Sequence, residues 1–156
     1  MKTRHRLQVN GEAVSVEADD AEPLLGVLRN HLGLRAARFG CGEEACGACT
    51  VLIDGEPAFS CTRTLDSLEG RAITTIKGLK ASGALEPLLA AFIAEQAGQC
   101  GYCLSGIVMS AYALLERNPA PSRAEIVANL EPHLCRCGSH LRIIRAVERA
   151  AAMGRS

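Results

Sequence analysis

Eight cysteines stand in two quartets, and no other feature of the chain limits its fold as strongly. The first is Cys41, Cys46, Cys49 and Cys61; the second is Cys100, Cys103, Cys135 and Cys137. The first reads Cys-x4-Cys-x2-Cys-x11-Cys and the second Cys-x2-Cys-x31-Cys-x-Cys. A 2Fe–2S cluster takes four thiolates, and Cys-x4-Cys-x2-Cys followed by a distant Cys is one of its known ligand spacings. Two such sets predict two redox centres in series, in a chain that carries electrons rather than making or breaking bonds. Size points the same way. The chain has 156 residues, and a half of roughly 75 buries only a modest core. A bound cluster supplies the missing stability, because binding free energy at a site absent from the unfolded chain becomes folding free energy.

Lys and Arg balance Asp and Glu to a net charge of zero. No basic stripe or acidic tail points to nucleic acid or to anionic lipid. The longest apolar runs, such as 85–94, are too short to span a bilayer. Residues 1–10 are basic but lead into no apolar run, which is not the pattern of a secretory signal. The expected location is the cytoplasm, or an exported or membrane-associated complex reached only through a partner. In a reducing compartment the thiols are metal ligands rather than disulfides. Zinc is the rival metal, since four cysteines form a common structural zinc site. It fits the second quartet better than the first, because zinc modules usually use paired Cys-x2-Cys knuckles.

The pattern along the chain is α+β. Alternating segments flank Asn10-Gly11, a strong hairpin signal. Pro23 opens a helix over about 24–31, with Gly33 beyond its end. Gly40, Gly42 and Gly47 exclude a regular element around the first three cysteines and suit a backbone wrapped around a cluster. Strands follow over 50–53, 56–60 and 72–76, the second delivering Cys61. This predicts a β-grasp domain over 1–78. Residues 78–83 have no apolar periodicity and read as a boundary. Residues 79–156 read as a four-helix domain, with helices over 85–97, 103–118, 122–130 and 139–153. Ser122 and Glu125 form a capping box. Ile93 and Leu141 are placed on inward faces by their spacing.

The two quartets differ in their surroundings. In the first, loop N–H groups turned toward the sulfurs favour the more negative, reduced cluster. In the second, Cys100 and Cys103 lie at one helix start and Cys135 and Cys137 just before another, so two positive helix ends face one site. His133, beside Cys135, reads as a surface or supporting residue rather than a ligand. His5, His31 and His140 carry no triad pattern.

Four motifs then carry a resemblance that covers nearly the whole chain. They are Phe39-Gly40-Cys41-Gly42, Cys46-Gly47-Ala48-Cys49-Thr50-Val51, Gln99-Cys100-Gly101-Tyr102-Cys103 and Cys135-Arg136-Cys137-Gly138. Together they resemble the iron–sulfur subunit of the xanthine oxidase family of molybdenum hydroxylases. The resemblance implies a plant-type ferredoxin-like domain with an outer 2Fe–2S cluster on Cys41, Cys46, Cys49 and Cys61. It implies a helical domain with an inner cluster on Cys100, Cys103, Cys135 and Cys137, close to a molybdopterin held by a separate large subunit. Gln99 and Cys137 match the positions that contact the pterin. Catalytic residues and the substrate pocket would lie on the large subunit. Electrons would leave to a cytochrome c or FAD subunit. Ser139-His140 departs from the family's usual Thr-Tyr. It is similar to the branch of nicotinate and isoquinoline dehydrogenases and membrane-linked aldehyde dehydrogenases, implying an N-heteroaromatic or aldehyde substrate. Other readings are a free-standing two-cluster ferredoxin and a zinc-stapled interaction module.

Overall fold

The computed structural model describes residues 2–154. β1 (Lys2–Val9) and β2 (Glu12–Asp19) form the expected hairpin, with Val9 opposite Glu12. Asn10 and Gly11 turn it at φ 53° and 81°, the two left-handed positions of a type I′ turn. Asp54 and Gly55 repeat the device between β3 (Thr50–Ile53) and β4 (Glu56–Phe59). β5 (Ala72–Thr74) lies between β1, to which it is parallel, and β3, to which it is antiparallel. The five-stranded order is therefore β2-β1-β5-β3-β4, a β-grasp arrangement. α1 starts at Leu24–Gly26 and continues as one wider π-type turn, Val27–His31. Its Leu24, Leu25, Val27 and Leu28 fill the core together with Leu7, Val9, Val16 and Ile73.

The strand expected through Ile76 stops at Thr74, and α2 (Ile76–Ala81) begins where the composition suggested a boundary. The reason lies at the far end of the chain's first hairpin. The Asn10 side chain accepts the Thr75 N–H at 2.8 Å and so fixes the residue before the helix. Gly78 then permits close approach, since a Cβ there would stand 2.3 Å from the Asn10 Oδ1. Leu79 is buried in the helical core and Ile76 packs against it.

Four longer helices follow: α3 (Glu86–Ala94), α4 (Leu104–Arg117), α5 (Arg123–Leu130) and α6 (His140–Met153). Ser122 and Glu125 form the expected capping box at the start of α5. Leu85, Leu88, Phe92, Ile107, Met109, Ile126, Ile143 and Val147 make the core. Two expected core positions face outward: Ile93 is 78% exposed and Leu141 62%. The inward stripe of α6 runs through Ile143, Ala146, Val147 and Ala150, and Leu141 lies about 200° around the helix from Ile143 at 100° per residue.

The helices are not tethered loosely to the sheet. Leu52 of β3 belongs to the helical core, and α4 lies against β3. Where α4 passes the first cysteine loop, a Cβ on Gly106 would stand 2.0 Å from the Gly47 carbonyl oxygen. Only glycine lets helix and loop backbones meet there.

Candidate metal centres

The first quartet sits on the loop between α1 and β3, with Cys61 supplied after β4. The Glu43 and Ala45 N–H groups donate to Cys41 Sγ at 3.4 and 3.2 Å, and the Cys41 N–H donates to Cys46 Sγ at 3.4 Å. The Glu43 N–H is the main cause that lowers the Cys41 thiol to about 7. Gly42 and Gly47 hold φ of 76° and 74°, and a Cβ on Gly40 would stand 2.7 Å from Cys46 Sγ. The loop is thus shaped around sulfur. Cys49 and Cys61 are buried, and burial pushes the Cys49 thiol up to about 11. The thiols meet in pairs, Cys41 with Cys46 and Cys49 with Cys61.

The second quartet lies where two helices begin. Cys103 is the residue before α4, and the turn holding Cys135 and Cys137 leads into α6. The Tyr102 N–H donates to Cys100 Sγ and the Ser139 N–H to Cys135 Sγ, each at 3.5 Å. The Tyr102 N–H is the main cause that lowers Cys100. Burial pushes Cys103 up to about 12. Burial also works upward on Cys135, but the Ser139 N–H and the Cys103 thiol outweigh it and leave that thiol low. Here the pairs are Cys100 with Cys137 and Cys103 with Cys135. Gln99 stands at the open end, its Nε2 donating to the Cys137 carbonyl at 3.4 Å.

Among the described residues no three His, Cys, Asp or Glu side chains are drawn together as around a single ion. Each site supplies four thiols, the number of thiolate ligands that a cluster of two irons takes. Backbone N–H groups already directed at sulfur in both sites match the hydrogen bonds that thiolate-ligated clusters accept.

Residues 7–74 match the family described as a 2Fe-2S iron-sulfur cluster binding domain, and residues 75–148 the family described as a 2Fe-2S binding domain. One of the subunits of the nicotinate dehydrogenase of Pseudomonas putida is 52% identical over 97% of this chain and 96% of its own length. The alpha chain of the isoquinoline 1-oxidoreductase of Brevundimonas diminuta is 50% identical over 92% and 94%. A chain of quinoline 2-oxidoreductase from Pseudomonas putida superposes with a TM-score of 0.91 at 35% identity, over 99% of this chain and 96% of that one.

The chain is an iron–sulfur subunit of the xanthine oxidase family of molybdenum hydroxylases. Its similarity to the nicotinate and isoquinoline enzymes agrees with the branch expected from Ser139-His140. In this subunit the two cysteine sites open onto one another. A cavity of about 380 Å³ is lined by Cys46 from the first and by Cys100, Cys103 and Cys135 from the second. Polar contacts bind its walls. The Tyr102 hydroxyl donates to the Phe39 carbonyl, the Arg38 guanidinium lies 4.9 Å from the Tyr102 ring centroid, and the Leu134 N–H donates to the Cys46 carbonyl at 3.1 Å.

His133 belongs to this seam and not to the surface. It is 4% exposed, and burial holds its imidazole down at about 4, so it is neutral at ordinary pH. The sequence allows a supporting role beside the surface one, but it does not show what the ring would support. Its partners, Ser110 and Gly47, lie 23 and 86 positions away, and only the folded chain brings them together. No helix among the described residues is long and apolar enough to cross a membrane.

Proposed function

We propose that this subunit relays electrons from the molybdopterin centre of a large partner subunit to an external acceptor. Cys100, Cys103, Cys135 and Cys137 hold the inner 2Fe–2S cluster, and Cys41, Cys46, Cys49 and Cys61 the outer one. The clusters, when bound, supply two one-electron stations whose potentials respond to sulfur hydrogen bonds, charge and exposure. The observation that carries the reading is the set of backbone N–H groups directed at cysteine sulfur in both sites, beside a cavity lined by Cys46 of the first and Cys100, Cys103 and Cys135 of the second.

The protein's own part is positioning. Gln99 holds the Cys137 backbone at the exposed end of the inner site, where the large subunit's pterin is expected to approach. Glu43, Ala45 and Tyr102 direct N–H dipoles at sulfur, which favours thiolate and the reduced state. Ligation removes the thiol protons, so the raised Cys49 and Cys103 make cluster assembly proton-releasing. The outer site leads to a cytochrome c or FAD subunit. The nicotinate, isoquinoline and quinoline relatives favour an N-heteroaromatic substrate, bound on the large subunit. The assembled complex is cytoplasmic, or is exported through a partner.

The test uses the assembled complex. This chain should co-elute with a molybdenum-containing subunit, and Gln99→Ala should slow reduction of the inner centre in a single turnover while both clusters are retained. Elution without molybdenum favours a free-standing ferredoxin. An unchanged reduction rate in Gln99→Ala contradicts the pterin role of that residue.

A further inference from the structure

Resting on that two-cluster reading, we infer that the Ser139 hydroxyl donates a hydrogen bond to the Cys135 sulfur and so raises the potential of the inner centre. Ser139 stands at the start of α6, in the N-cap position. Serine there ordinarily accepts an N–H of the helix's first turn. Ser122 does so at the start of α5, with ψ of 159° and the Glu125 N–H as donor. Ser139 does not: its backbone lies at φ −79° and ψ 7°, and its side chain makes no cap hydrogen bond. It does not turn to water either, for the residue is 1% exposed. Its Oγ is buried with no hydrogen-bond partner among the described residues, and a buried hydroxyl is costly unless it finds an acceptor.

The acceptor within reach is sulfur. The Ser139 N–H donates to Cys135 Sγ at 3.5 Å, and the hydroxyl of the same residue also bears on that thiol. Burial works upward on Cys135, while the Ser139 N–H, the Cys103 thiol, the Cys137 N–H and the Ser139 hydroxyl work downward and prevail. A thiol is a weak acceptor. Ligation removes its proton and leaves a thiolate, which the hydroxyl hydrogen can rotate to meet. The hydrogen bonds to sulfur at Cys41, Cys46 and Cys100 come from backbone N–H groups, which are present whatever the side chain. The hydroxyl is different, because one side chain decides whether it is there. A hydrogen bond donated to ligand sulfur favours the more negative, reduced centre. Ser139 thereby makes the inner centre a readier acceptor of the electron that arrives from the large subunit. The electron is the only particle that moves, and the proton stays on Oγ.

The assembled complex is titrated potentiometrically while the paramagnetic signals of both centres are recorded. Ser139→Ala removes the hydroxyl and keeps the N–H. It should lower the reduction equilibrium of the inner centre about tenfold, the effect of one hydrogen bond to a charged group and about 59 mV for one electron. The outer centre, iron and labile sulfide should be unchanged. Ser139→Thr keeps a hydroxyl and should hold the wild-type potential. An unchanged inner potential in Ser139→Ala overturns the inference, and so does an equal drop in Ser139→Thr. Ser139→Gly deletes the same hydroxyl and decides the matter where Ser139→Ala loses inner iron. Loss of inner iron in both variants means a structural role and overturns the tuning one. A wild-type complex without a second reducible centre refutes the two-cluster reading itself, whereas two normal centres insensitive to Ser139 refute this inference alone.

Discussion

The two cysteine sites use different means to stabilise the same kind of ligand. The first is a loop site: glycine backbone bends around sulfur, and the Glu43 and Ala45 N–H groups converge on Cys41. The second is a helix-end site: its N–H donors to Cys100 and Cys135 come from the turns that lead into α4 and α6. A loop has little structure of its own once its contents are removed, whereas helices keep an apolar core. The first half should therefore depend on its cluster for folding more than the second.

Losing a ligand is the largest way to break that comparison. Cys49→Ser should remove the outer cluster and loosen the sheet half, while Cys103→Ser should remove the inner cluster and leave most helical content in place. Circular dichroism with iron analysis reads both, and simultaneous unfolding of both halves in either variant would contradict the distinction. Next comes the joint between the sites. Gly106→Val forces α4 off the Gly47 carbonyl and should cost about 1–3 kcal/mol, as overpacking usually does, with a fall in iron at the first site. Unchanged denaturation and iron content would mean that the close approach is dispensable.

Smaller effects sharpen the claim that the helical half stands on its own packing. Ser122→Ala removes the α5 cap and should cost about 1 kcal/mol without altering either centre. The Ser122 N–H holds the Glu125 carboxyl below its ordinary value. That contribution is present above the ordinary carboxylate range and is lost as pH falls through the lowered value, a pH dependence that should weaken in the variant. Ile93→Gln and Leu141→Gln touch exposed positions. They should shift stability by no more than about 0.5 kcal/mol, and a larger loss in the isolated subunit would mean that these residues serve the core after all.

The hairpins are legible because Asn10-Gly11 and Asp54-Gly55 demand left-handed backbone, and the cysteine spacings announce two centres before any fold is known. α2 is hidden because so short a helix, with Gly78 inside it, carries no periodicity. Its position depends on Asn10, more than sixty residues away. Ile93 and Leu141 depart from their expected faces because their helices have apolar residues beyond the buried stripe. The seam is invisible for a deeper reason. Gly47 reads only as part of the cysteine loop and Gly106 as one residue of a helix, and the contacts that join them to each other and to His133 cross between the halves.

That the two quartets hold two unequal 2Fe–2S clusters is tested most directly by paramagnetic resonance of the anaerobically purified, reduced protein, alongside iron and acid-labile sulfide analysis. Two distinct signals are predicted, one lost in Cys49→Ser and the other in Cys103→Ser, with iron and sulfide for two clusters. Zinc without labile sulfide, or a single signal that both variants abolish, would contradict it.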